Sequence, residues 1–96
     1  MTQAIKDKDY YKPTANEICR KIQKDLLDNT HPCKVGYAEM QNNVVFTLQP
    51  TQRVDLNKIS EELNLYLGKL GIKCSGFTVI QGRVARCIIS KAEFRL

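Results

Sequence analysis

The sequence predicts an α+β domain in the order helix-strand-strand-helix-strand-strand, with one four-stranded antiparallel sheet carrying both helices on one face. Three observations predict it. Two segments place apolar residues at three- and four-residue steps between a capping residue and a stop signal. Each is followed by two short runs of β-branched and aromatic residues with a turn between them. The second half also repeats the first. Gly36-Tyr37-Ala38-Glu39-Met40-Gln41 matches Gly76-Phe77-Thr78-Val79-Ile80-Gln81 at a spacing of 40, and Ile18, Ile22, Leu26 and Cys33 meet Ile59, Leu63, Leu67 and Cys74 at a spacing of 41. This is the pattern of a duplicated αββ unit, and connections this short bring both helical stripes onto the same side of a shared sheet.

A chain of 96 residues has room for one core. Residues 1–12 mix lysines, aspartates and Tyr10-Tyr11 without periodicity and read as a flexible tail. Residues 13–96 form the single domain, with residues 13–50 as the first αββ unit and residues 54–90 as the second. Pro13 precedes Thr14, and Glu17 stands three residues on, which is a capping box that starts a helix. Ala15, Ile18, Cys19, Ile22 and Leu26 form its apolar stripe, and Asp28 through Pro32 stop it. Val35 to Met40 and Val44 to Gln49 read as a hairpin turned by Gln41-Asn42-Asn43. Asp55 caps the second helix, whose stripe is Leu56, Ile59, Leu63, Tyr66, Leu67 and Leu70, and Gly71 closes it with Ile72 folding back. Gly76 to Ile80 and Val84 to Ser90 complete the second hairpin around Gln81-Gly82-Arg83. Cys33 and Cys74 are expected at strand starts.

Alternation sends Ala38, Met40, Val44, Phe46 and Leu48 toward the helices, with Thr78, Ile80, Ala85, Cys87 and Ile89. The open face then carries Tyr37, Val45, Phe77, Val79, Val84 and Ile88, with Glu39 and Arg86. Such a face is too apolar to be left bare, and three covers are available: the chain's own termini, a second copy, or another partner. The valines and isoleucines make these six residues a candidate homodimer or protein-partner interface.

The formal net charge is +5. Residues 83–96 hold four Lys or Arg against one acid, whereas residues 35–82 balance four against four. Arg83, Arg86, Lys91 and Arg95 beside Tyr37 and Phe77 combine cations with aromatic rings, the mixture that phosphates and unstacked bases require. These six residues are the candidate contacts to single-stranded nucleic acid.

Several classes are set aside. Apolar runs of three or four residues are far short of the roughly 20 needed to span a bilayer, and the N-terminus reaches charge too early for a secretory signal, so no membrane partner is expected and the cytoplasm is. Cys19, Cys33, Cys74 and Cys87 are spaced too widely for a metal site and read as reduced thiols, so no metal or cofactor is expected. The one histidine, His31, lies in a turn, and Glu61 and Glu62 read as a solvated face, so no enzyme is expected. The expectation is a non-catalytic accessory or regulatory domain that binds nucleic acid through the basic C-terminal hairpin and the open sheet face. The alternative is a homodimeric adapter that binds protein only.

Overall fold

Residues 12–95 are described by the computed structural model, so the expected tail lies outside the described residues except for Lys12. Helix α1 (Ala15–Lys21) begins where the sequence places it, because the Thr14 hydroxyl accepts the Glu17 N–H at 3.1 Å and the Glu17 carboxylate accepts the Thr14 N–H at 2.9 Å. It runs into a π-helical turn (Ile22–Leu27), seen in the five-residue step of the Asp28 N–H to the Gln23 carbonyl at 2.8 Å. The wider turn moves the buried positions to Ile18, Ile22 and Leu27, each 1 % exposed or less, and leaves the expected Leu26 only partly buried.

Strands β1 (Cys33–Glu39) and β2 (Asn43–Pro50) form the first hairpin. Helix α2 (Leu56–Lys69) is capped by Asp55, whose carboxylate accepts the Asn57 and Lys58 N–H groups. It ends at Gly71, whose φ of 79° lets the Ile72 N–H return to the Leu67 carbonyl at 3.1 Å. Strands β3 (Thr78–Ile80) and β4 (Val84–Ser90) form the second hairpin, followed by a 3-10 turn (Lys91–Glu93). Cys33 starts a strand as expected. Cys74 does not: it is exposed and lies in the irregular segment before β3.

All pairings are antiparallel and the strand order is β1-β2-β4-β3, two hairpins side by side joined through their second strands. Val44, Phe46 and Leu48 of β2 and Ala85, Cys87 and Ile89 of β4 are buried against the stripes of both helices in one cluster. Both helices therefore cover the same face.

The edge strands are turned over relative to expectation. Residues directly opposite across an antiparallel pair share a face. Tyr37 stands opposite Phe46 and Ala38 opposite Val45, so Cys33, Val35, Tyr37 and Glu39 lie on the helix-bearing side, and Ala38 on the open side. Val79 stands opposite Ala85, and Thr78 and Ile80 stand opposite Arg86 and Val84. Val79 and Phe77 thus belong with the core, and Thr78 and Ile80 with the open face.

Candidate nucleic-acid interface

Register defines the open face row by row. Lys34 stands opposite Gln49, Gly36 opposite Thr47, and Ala38 opposite Val45. Beyond β2, Thr47 meets Arg86 and Val45 meets Ile88, while β3 adds Thr78 beside Arg86 and Ile80 beside Val84. Ile88 is 57 % exposed near the middle of this surface, whereas Val45, Thr47 and Val84 are half-buried by their neighbours.

Of the predicted interface residues, Val45, Val84 and Ile88 lie on this face; Tyr37, Phe77 and Val79 do not. Phe77 is 7 % exposed in the core, Val79 packs against it, and Tyr37 leans on Phe46 with ring centroids 5.8 Å apart. No aromatic side chain stands on the open face among the described strand residues.

The four expected cations also part company. Arg83 occupies the β3–β4 turn and Arg86 the middle of the open face. Lys91 and Arg95 follow β4 at its far end, with about 26 Å of extended chain between Arg83 and Lys91. Lys91 Nζ lies 4.0 Å from Glu39 Oε1 and Arg95 Nη2 lies 3.4 Å from Glu17 Oε1. Glu39, expected on the open face, is thereby spent on the other side. Lys34 takes its place: two strands and one row away from Arg86, with β2 between them, it stands about 12 Å from it on the same surface. Its significance was hidden because the face of β1 depends on the hairpin register. Among the described strand residues the open face holds Lys34 and Arg86 and no carboxylate.

As far as Arg95, the last described residue, the C-terminal segment does not roof this surface. Phe94 is 5 % exposed and lies 6.0 Å from the Phe46 ring on the helix-bearing side, and the Arg95 N–H is donated to the Pro13 carbonyl at 2.8 Å. The other expected roof, Tyr10 and Tyr11, lies outside the described residues.

Elsewhere among the described residues the fold brings titratable groups together in a way that the sequence did not reveal. His31 Nε2 lies 3.0 Å from Glu62 Oε1 and ties the loop before β1 to α2 across 31 residues of chain. Cys33, near His31 in sequence, is 4 % exposed, and burial pushes its thiol up, which disfavours the reactive thiolate. Among the described residues no three His, Cys, Asp or Glu side chains are grouped as a metal ion requires, and no helix is long and apolar enough to cross a membrane. Compared with protein families, with curated proteins and with solved structures, the chain matches none.

Proposed function

We propose that this is a non-catalytic accessory domain that binds single-stranded nucleic acid by its backbone, on the open sheet face and the adjoining β3–β4 turn. One observation carries the reading: Lys34 and Arg86 share a face on which no described strand residue is acidic, with Arg83 in the turn beside it. Phosphates are the polyanion that such a surface attracts, and Thr47, Gln49 and Thr78 add hydrogen-bonding groups between the cations. Because Tyr37 and Phe77 lie on the other side, contact rests on charge and hydrogen bonds with little base stacking, and sequence preference should be slight. Lys91 and Arg95 play no part in this surface.

The second reading, a homodimeric adapter without nucleic acid, draws on the apolar row of Ala38, Val45 and Ile88. A two-fold interface must be self-complementary, and a face with cations and no acids opposes like charges when it meets its own copy. Charge therefore favours the polyanion.

Fluorescence anisotropy of a labelled mixed-sequence single strand, titrated across a range of salt concentrations, tests the reading. Three phosphate contacts give a slope of log K against log salt of about −2. Lys34→Glu with Arg86→Glu should abolish binding while leaving the circular dichroism spectrum intact. Equal binding by this variant, or a flat salt profile, sinks the reading; a doubled mass in sedimentation that persists at high salt supports the adapter instead.

A further inference from the structure

We infer that the Gln23 carboxamide occupies the place of a fifth strand on β1 and so bars a second copy of the chain from adding to that edge. In β1 the even-numbered residues turn their backbone groups toward β2, as the Met40 N–H donated to the Asn43 carbonyl at 2.7 Å shows for the end of the hairpin. Cys33, Val35, Tyr37 and Glu39 therefore point their N–H and C=O groups outward, a ready template for another strand.

Half of that template is closed. Gln23 Oε1 accepts the Val35 N–H at 2.9 Å while its Nε2 donates to the Cys33 carbonyl at 3.1 Å, the same donor-and-acceptor pairing that a neighbouring strand would offer. Cys19 Sγ donates to the Val35 carbonyl at 3.5 Å, and the Cys33 N–H is taken by the His31 carbonyl at 2.9 Å. Every outward backbone group of Cys33 and Val35 thus has a partner, and Asp28 holds the amide in place by accepting from Nε2 at 2.7 Å. Gln23 lies within the π-helical turn, and the wider turn is what the helix shows where this side chain leaves it for the sheet. Tyr37 and Glu39 have no such partners among the described residues.

The occupant that this edge fits is a second copy. Two-fold antiparallel pairing centred on Gly36 would set Val35 against the partner's Tyr37 and Cys33 against the partner's Glu39. Lys34 would then meet the partner's Ala38, so no like charges would oppose each other. Gly36 at the axis has open space around it, nothing lying within 4 Å of a Cβ built there, which suits the close approach of a pair without hydrogen bonds between its members. With Gln23 in place only Tyr37 and Glu39 are free to pair, too short a stretch to hold two chains together.

Sedimentation equilibrium on the full chain tests the device. Gln23→Ala should give a mass that doubles with concentration, and adding Val35→Pro, which removes an outward N–H without touching the β1–β2 ladder, should return it to the wild-type mass. A folded Gln23→Ala that keeps the wild-type mass overturns the inference, as does a mass increase that survives Val35→Pro. Should Gln23→Ala fail to fold, amide exchange in the wild-type protein decides. The Val35 amide should exchange at least about tenfold more slowly than that of Tyr37, and equal rates overturn the inference.

Discussion

The Asn64 carboxamide on α2 accepts the Phe77 N–H at 2.7 Å, and Gly76, the residue before Phe77, has no freedom to change. A Cβ on Gly76 would lie 2.9 Å from Asn64 Nδ2, and the φ of 99° at that position is one that side chains rarely adopt. Helix α2 and the segment that enters β3 are thus fastened at one point. Gly76→Ala is expected to cost about 2–3 kcal/mol, from roughly 1–2 kcal/mol of left-handed strain and a disturbed hydrogen bond. Thermal unfolding should show a fall of the order of 10 °C. Gly36→Ala, matched to it in sequence but with open space and no positive φ, should leave the midpoint within a few degrees. Equal effects of the two substitutions would remove this account of Gly76.

Tyr37 and Arg86 should separate stability from binding. Tyr37 packs on the ring of Phe46, which is fully buried, so Tyr37→Ser removes apolar contact and an aromatic pair worth about 0.5–1.5 kcal/mol beyond its buried area. Chemical denaturation should report the loss, with oligonucleotide affinity unchanged. Arg86→Glu should do the reverse. A drop in affinity for Tyr37→Ser at full stability would put the ring back among the nucleic-acid contacts.

What could be read from the sequence was what is local in it. The Thr14–Glu17 capping box, the Asp55 cap and the Gly71 closure each involve residues a few positions apart, and β2 and β4 carry their buried residues at strict alternation. The faces of β1 and β3 depend on an exact count of turn residues. Glu39 pairs with Val44 across four residues where three were expected, and Ile80 pairs with Val84 across three where four were implied. One residue of slip moves every side chain of a strand to the other face. Both alternative faces of β1 carry apolar residues, Val35 and Tyr37 or Ala38 and Met40, so composition could not choose between them. The π-helical turn was hidden for a different reason: the Gln23 bonds that accompany it reach β1 ten and twelve residues away. His31 and Glu62 meet only because the fold brings the loop to α2.

Ser60 is the one buried side-chain polar atom without a hydrogen-bond partner among the described residues. It is 4 % exposed on the inner side of α2, between residues that make the core. A hydroxyl removed from water with no partner costs about 1–3 kcal/mol, and alanine is also the better helix former. Ser60→Ala should therefore stabilise the protein by about 1 kcal/mol, read as a higher denaturant midpoint at unchanged slope. A lower midpoint would mean that the hydroxyl has a partner in solution, such as a bound water.

The thiols predict an alkaline limit to stability. Burial, and after it the neighbouring Cys74 thiol, pushes Cys87 from 9.0 up to about 12, and burial also raises Cys19 and Cys33. Tyr66 moves the same way through burial and its hydrogen bond to Asp25. In each case the folded chain holds its proton after the unfolded chain has lost it. These contributions are complete below about pH 9 and decline as pH rises toward the folded values, by up to about 1.4 kcal/mol per pH unit for each group. Urea midpoints measured from pH 7 to 11 should be level at first and then fall. Cys87→Ala should flatten the alkaline limb even as it lowers the starting stability. The same environment governs reactivity: iodoacetamide at pH 8 should modify exposed Cys74 in the native protein and reach Cys87, 1 % exposed, only on unfolding. Native modification of both at one rate would show that the core around Cys87 opens far more readily than its packing implies.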